Sequence, residues 1–154
     1  MMMSRCMMTA LAALALSFCA LVAAQPVPVQ GSAARDDSLY RALGGEDGIR
    51  KVVNELVDRA VQDPRIAHQF RNTKPQGLKD SLTEQLCAAS GGPCTYQGAK
   101  MKPAHADMGI TRAEFDALVE DLQDAMAAQR VPFAVQNRLL ALLAPMHRDI
   151  IARP

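Results

Sequence analysis

The sequence feature that most constrains the fold is a run of apolar residues spaced three and four positions apart. This spacing places all of them on one face of an α-helix that runs from about Glu46 to Gln62. Asp63-Pro64 ends that helix, because the residue before a proline avoids the helical backbone conformation. A helix with such a face needs other elements to cover it, and its apolar positions are Ile49, Val52, Val53, Leu56, Val57, Ala60 and Val61.

Four further stretches carry helix signals, and none carries a strong strand signal. Ser38 can cap a short first helix, which Gly44-Gly45 breaks. Pro145 lies within the last predicted helix and should kink or break it. A core of Leu, Val, Ala and Met, with two Tyr, four Phe and no Trp in the chain, also favours helices over a β-sandwich. The predicted fold class is all-α, with the further helices at about 39–43, 77–89, 111–130 and 132–151 and inward positions at Leu78, Leu82 and Leu86, at Phe115, Leu118, Val119, Leu122 and Met126, and at Val135, Leu139, Leu142, Leu143, Met146 and Ile150.

The first 24 residues have the pattern of a secretory signal sequence. Arg5 is the only charge before an apolar run that ends in Val22-Ala23-Ala24, where small residues suit cleavage. We expect cleavage after Ala24, a flexible Pro- and Gly-containing tether over residues 25–37, and one domain over 38–154 in the periplasm. The alternative is a lipoprotein anchored to a membrane through Cys19.

The charge balance argues against nucleic acid as a partner. Loss of residues 1–24 removes one of the 17 basic residues, Arg5, and leaves 16 basic residues against 16 acidic ones. A surface with balanced charge gives no electrostatic attraction to nucleic acid or to an anionic membrane. A membrane is therefore a partner only if Cys19 is lipidated.

Two cysteines remain in the predicted mature chain. Cys87 and Cys94 flank the turn Gly91-Gly92-Pro93, and in an oxidising compartment they can form a disulfide that closes it. Free thiols and metal ligands are the alternatives. The chain has no C-x-x-C-H motif, so covalent haem attachment through such a motif is not indicated.

A histidine lies in a short turn directly before the fourth predicted helix. Thr111-Arg112-Ala113-Glu114 has the pattern of a capping box, in which the threonine hydroxyl and the glutamate carboxylate each satisfy a backbone N–H of the other residue. His105 precedes this box and is flanked by Met101 and Met108. It is a candidate metal ligand, with a packed or solvated side chain as the alternative.

Taken in order, these motifs resemble group I truncated haemoglobins, the short bacterial globins in which two helix pairs sandwich haem b. The resemblance covers residues 38–151 without gaps. Each glycine pair alone is a weak signal, and the ordered set with its spacing to the histidine is a specific one. The residues that carry it are Leu39-Tyr40, Gly44-Gly45, Asp63-Pro64, Phe70, the run from Cys87 to Pro93, Tyr96, Gly98, Met101-Lys102, His105 and the run from Met108 to Thr111.

The resemblance implies a fold, a cofactor and a set of site residues. The fold is a two-on-two helical sandwich, the cofactor is haem b, and His105 is the proximal iron ligand. Phe70 packs against the porphyrin, and Leu78, Leu82 and Val57 lie on the distal side. Met101, Ile110 and Phe115 line the proximal side, and the candidates for the haem propionates are Thr73, Tyr96 and Lys102.

The chain departs from the family at the distal positions. Many members carry a tyrosine on the second helix and a glutamine on the third, whereas this chain has Val57 and Leu82 there. We therefore expect an apolar distal pocket and rapid release of oxygen. His68 lies in the link near Phe70 and is an unfavoured candidate for the distal side. His147 is expected to face solvent.

The favoured function is binding of a diatomic gas (oxygen, NO or CO) at a His-ligated haem. Conversion of NO and oxygen to nitrate would need an unidentified electron donor. The sequence has no nucleophile–base pair and no phosphate loop, so no catalytic residue is assigned. The alternatives are an exported helical interaction module without cofactor and a redox or gas sensor that acts through a partner.

Overall fold

The computed structural model describes residues 36–152. The predicted signal sequence, Cys19 and residues 25–35 of the predicted tether lie outside the described residues. None of the helices described is both long enough and apolar enough to cross a membrane.

The regular structure of residues 36–152 is all helical and includes no strand, as the sequence predicts. Two of its elements are 3₁₀ turns, one before the third α-helix and one after the sixth. The α-helices are α1 (Ser38–Ala42), α2 (Gly45–Ala60), α3 (Pro75–Ala89), α4 (Met101–His105), α5 (Arg112–Ala128), α6 (Phe133–Leu143) and α7 (His147–Ile150), and the 3₁₀ helices are Ala67–Phe70 and Ala144–Met146.

Helix α2 is the central element of the fold. Its predicted apolar face is confirmed: Ile49, Val53 and Val57 are almost fully buried, and α2 packs against both α3 and α5. A stripe of apolar side chains at helical spacing is buried when two neighbours cover it, which is the arrangement here. Its partners in the core include Leu86 and Cys87 of α3, Leu122, Ala125 and Met126 of α5, and Leu139 of α6.

Several helix ends differ from the predicted positions. Helix α1 begins at Ser38, which does not cap it; Ser38 instead donates its backbone N–H to Asp36 Oδ1 at 3.0 Å. Helix α2 ends at Ala60 and not at the predicted Gln62. Gln62 N–H still donates to Arg59 O, three residues earlier, in a turn that is tighter than the helix. Helix α3 begins two residues early, at Pro75, because a proline is well suited to the first helical turn.

The largest local difference is at residues 101–105, which form the one-turn helix α4 where the sequence predicted a turn. Ala104 N–H donates to Lys100 O at 3.1 Å and closes this turn. Pro103 is tolerated because it lies in the first turn, where backbone N–H groups have no partner within the helix.

The C-terminal helix is broken at its proline, as predicted. A 3₁₀ turn through Pro145 separates α6 from α7. The predicted inner face is wrong in part, because Leu139 is buried whereas Leu142 is 37% exposed. The inward side of α6 centres between Leu139 and Leu143, which leaves Leu142 at its edge.

Cys87 and Cys94 form a disulfide, so of the alternatives the structure selects the cross-link. Cys87 is fully buried at the end of α3. A Cβ added at Gly92 would lie 2.6 Å from the Tyr40 ring and 2.7 Å from Cys87 Sγ, so the turn packs its bare backbone against α1 and the disulfide. The bridge therefore fixes the start of the long loop that leads to α4.

One buried carboxylate on α5 lacks a partner. Asp121 is 7% exposed, and its Oδ2 has no hydrogen-bond partner within residues 36–152. Burial raises the pKa of Asp121, and the nearby Asp63 carboxylate raises it further, against the opposing charges of Arg65 and Arg59. The folded chain thus holds this proton more tightly than an exposed aspartate would.

We expect Asp121→Asn to stabilise the protein more at pH 7.5 than at pH 4. The folded state holds this proton more tightly than the unfolded chain, so the free energy of unfolding falls as pH rises from the ordinary aspartate pKa of 3.8 towards the raised one. A neutral amide removes this penalty, which is about 1 kcal/mol for a buried polar group of this kind. Urea unfolding at both pH values measures it, with the exposed Asp116→Asn on the same helix as control. An equal change at both pH values would contradict the assignment.

Candidate functional site

His105 is the last residue of α4 and is half-buried. Its Nδ1 lies 2.7 Å from Met101 O, one turn earlier in the same helix. A carbonyl oxygen can only accept, so Nδ1 carries the proton and donates it, which leaves the lone pair on Nε2. The bond also fixes the ring direction, an arrangement typical of metal-ligating imidazoles.

The start of α5 is fixed by the predicted capping box, which is confirmed. Glu114 N–H donates to Thr111 Oγ1 at 3.2 Å, and Thr111 N–H donates to Glu114 Oε2 at 2.8 Å. The Thr111 hydroxyl also donates to Glu114 Oε2 at 2.6 Å. These bonds, with a further one from Gln69, lower the pKa of Glu114 to about 2. The chain that follows His105 is therefore held in one conformation.

The helices that carry the candidate site residues pack mainly on other helices and not on one another. Helix α3 packs on α2, and α4 packs on α7, while the described residues show no comparably close packing of α3 on α4 or on α5. Leu78 and Leu82 of α3 and Met101 of α4 are each only partly buried. We call the region between α3 and α4 the cleft. Its partly buried apolar side chains and the half-buried imidazole of His105 suit a flat apolar group that carries a metal.

The absence of other metal ligands points in the same direction. Within residues 36–152 no three His, Cys, Asp or Glu side chains converge to hold a metal ion. A metal bound by His105 therefore needs most of its ligands from a cofactor, as haem supplies through its porphyrin nitrogens. The residues present fit haem.

Gln85 is a polar residue at this cleft that the sequence analysis missed. Its Nε2 lies 3.6 Å from Met101 Sδ and 3.6 Å from Met146 Sδ, so the side chains of α3 and α4 meet at this end of the cleft. The sequence could have indicated this position of Gln85, because Gln85 follows Leu82 by three positions and therefore lies on the same helix face.

The apolar site residues occupy both core and cleft positions. Val57 is 1% exposed and belongs to the central core. Phe70 ends the first 3₁₀ helix and packs against a small cluster that includes Ile66. Ile110 is buried, and its carbonyl accepts from Ala152 N–H at 2.9 Å, which ties the C-terminal end of the chain to the segment after His105. The contacts of these side chains with haem stay predictions.

The three candidates for the propionates are polar side chains at the surface. Thr73 and Lys102 are exposed. Tyr96 is half-buried and donates its hydroxyl proton to Ala99 O at 3.0 Å. A carboxylate would have to compete with that carbonyl for the Tyr96 proton.

The two remaining histidines each contact a residue of α5, and only His147 differs from expectation. His68 lies with Nε2 2.8 Å from Glu114 Oε1, so its imidazole faces the start of α5 and the suggestion that it reaches the distal side gains no support. His147 is half-buried rather than solvent-facing, because its ring packs edge-on against Phe115 with 6.3 Å between ring centroids. His147 thus adds an aromatic contact to a residue predicted to line the proximal side.

Comparison with protein families and curated proteins gives concordant matches. The family model described as bacterial-like globin matches residues 38–152. The chain is 34% identical over 113 residues to the group 1 truncated hemoglobin GlbN of Mycolicibacterium paratuberculosis, covering 73% of this chain and 83% of that protein. It is 31% identical over 120 residues to GlbN of Synechocystis, covering 74% of this chain and 97% of that protein.

Solved structures give the same result for the fold. The truncated hemoglobin of Tetrahymena pyriformis in its Fe(III) form superposes with a TM-score of 0.72 at 29% identity, covering 75% of this chain and 98% of that chain. The 2/2 hemoglobin of Synechococcus, solved in the cyanomet state with covalently attached heme, superposes with a TM-score of 0.70 at 25% identity over the same shares. The predicted two-on-two helical sandwich is confirmed.

Proposed function

Because this chain belongs to the bacterial-like globin family, as a group 1 truncated haemoglobin whose cofactor is haem, we propose that it binds a diatomic gas at a His105-ligated iron. Gas binding at haem is the general activity of this family. The particular proposal is that the gas meets an apolar distal wall formed by Leu78, Leu82 and Val57. Oxygen, NO and CO are the candidate ligands.

The observation that carries the proposal is the hydrogen bond from His105 Nδ1 to Met101 O. It presents Nε2 as the free ligand atom and holds the ring against rotation. The haem supplies the redox-active iron, and this chain supplies the axial nitrogen and apolar walls that exclude water. Phe70, Met101, Ile110 and Phe115 would contact the porphyrin, and Thr73, Tyr96 and Lys102 would contact its carboxylates.

Weak retention of oxygen follows from the distal residues. Neither Val57 nor Leu82 can donate a hydrogen bond, and oxygen gains more from a nearby donor than CO or NO does. Each missing donor costs about 1–3 kcal/mol, which is about one to two factors of ten in affinity. We therefore propose rapid oxygen release with retained binding of CO and NO.

Leu82→Gln is expected to slow oxygen dissociation by about tenfold, because it returns a donor to the cleft face of α3. Stopped-flow measurement of the oxygen off-rate tests this, with CO dissociation measured in parallel and expected to change less. The exposed Leu142→Gln makes the same chemical change on α6 and serves as control. Slow oxygen release by the unaltered protein would overturn the proposal.

We further propose that the protein works outside the cytoplasm, in the periplasm if the predicted signal sequence is cleaved. The Cys87–Cys94 disulfide supports this, because such bonds persist in oxidising compartments. NO detoxification would also require an electron donor, which is unidentified. Lipidation at Cys19 remains the alternative to a freely exported form.

A further inference from the structure

The carboxylate of Glu114 receives hydrogen bonds from two segments that are far apart in the chain. Oε2 accepts from Thr111 N–H and Thr111 Oγ1 in the capping box. Oε1 accepts from Gln69 Nε2 at 2.9 Å and lies 2.8 Å from His68 Nε2. The Glu114 side chain is only 14% exposed, whereas its partners Thr111 and His68 are exposed.

Each of the two segments lies close in the chain to a residue that is predicted to hold haem. His68 and Gln69 directly precede Phe70 in the first 3₁₀ helix. Thr111 follows His105 by six residues, and the bond from Gln69 Nε2 to Met108 O at 3.4 Å joins the same segments a second time. The Glu114 side chain thus connects the residues next to Phe70 with the cap of α5, six residues after His105.

Both segments need such a connection, because neither has much structure of its own. The first 3₁₀ helix has only four residues, and residues 106–111 form turns and irregular backbone, so both segments depend on tertiary contacts for their order. Three donors bind this carboxylate and the His68 ring lies beside it, which makes the contact directional as well as attractive. The lowered pKa of Glu114, about 2, means that the carboxylate keeps its charge throughout the ordinary pH range.

We propose that Glu114 is a positioning residue of the haem site, whose carboxylate holds the Phe70 segment and the His105 segment at a fixed separation. The connection between the two segments is inferred from the geometry alone. Its effect on haem binding rests on the proposed function. Glu114 itself touches neither the iron ligand nor the reacting gas.

Glu114→Ala tests the proposal, with Glu114→Gln as the conservative variant and Glu120→Ala as the matched control. Glu120 also lies on α5 and also bonds across to the segment before Phe70, through Arg65, but its side chain is 62% exposed and does not reach the segment after His105. The two alanine variants therefore remove the same charge from the same helix.

Three measurements on the full chain give the readouts. Amide hydrogen exchange of the protein without added haem should show Glu114→Ala loosening residues 66–70 and 106–111 together, at least tenfold, with Glu120→Ala close to the unaltered protein. Haem transfer to an acceptor globin should be at least tenfold faster in Glu114→Ala, and Glu114→Gln should fall between. The iron–histidine stretching band in the ferrous resonance Raman spectrum should shift or broaden in Glu114→Ala only.

The outcomes separate this inference from the proposed function. If the unaltered protein binds no haem, the proposed function fails, and hydrogen exchange alone decides the coupling. If haem binds and Glu114→Ala behaves like Glu120→Ala, the positioning role is overturned and the proposed function stands. If Glu114→Ala does not fold, Gln69→Ala provides a second test, because it removes the bond from Gln69 to Glu114. An unchanged rate of haem loss in Gln69→Ala would overturn the positioning role of Glu114.

Discussion

His105→Gly is expected to lower haem affinity by on the order of 100-fold or more, because the variant lacks the only protein atom proposed to bind the iron. Loss of a residue that merely orients a metal ligand costs about 10- to 100-fold, so loss of the ligand itself should reach at least the upper end. The measurement is the absorption spectrum of the purified, haem-reconstituted protein in its ferric, ferrous and ferrous–CO forms. The unaltered protein should give a globin-type Soret band that shifts with CO, and the variant should lose or alter it.

Added imidazole provides the matched control for this variant. The glycine leaves a space of the size of the missing ring, so free imidazole should restore the Soret band and part of the affinity. Restoration would separate loss of the ligand from loss of the fold. An unaltered spectrum and affinity in His105→Gly would contradict the assignment of the ligand and leave the two-on-two fold intact.

Gly48→Ala is expected to destabilise the folded state by about 3 kcal/mol, the largest effect we anticipate away from the site. A Cβ at Gly48 would lie 2.0 Å from Leu43 O, and the obstacle is backbone rather than a flexible side chain. The close approach arises because Gly44 and Gly45, with φ of 88° and 68°, fold the end of α1 back onto the first turn of α2. Denaturant unfolding of the two proteins measures the difference.

Gly77→Ala is the matched control, since it makes the same change in the first turns of another helix. A Cβ at Gly77 meets nothing within 4 Å and its backbone is helical, so alanine should stabilise by about 0.5–1 kcal/mol. Opposite signs for the two substitutions are the expected result. Similar effects of both would show that helix propensity, and not the approach of Leu43 O, controls position 48.

The parts of the fold that the sequence predicted are those governed by local rules. The buried face of α2 follows from apolar spacing, the break at Pro145 follows from the missing N–H, and the capping box of Thr111 and Glu114 follows from two residues three positions apart. Each depends on atoms within a few residues of one another. Local chemistry alone was therefore enough.

The parts that the sequence did not predict depend on contacts between distant segments. The link of Gln69 to Glu114 spans 45 positions, and the approach of Gln85 to Met146 spans 61. The edge-on packing of His147 on Phe115 likewise depends on how α7 returns after its break. For His105 the resemblance predicted the ligand role, whereas the bond to Met101 O that directs its ring emerges only when α4 is seen as a helix.

The loose packing of α3 on α4 and α5 has a consequence for the amount of this protein in a cell. A ligand that binds the folded chain and not the unfolded one adds to stability by mass action, by about 2.7 kcal/mol at a hundred times its dissociation constant. Haem that fills the cleft would act in this way, and a chain made when haem is scarce would open more often to proteases. Haem supply would then set the steady-state level of the protein as well as the fraction of it that can bind gas.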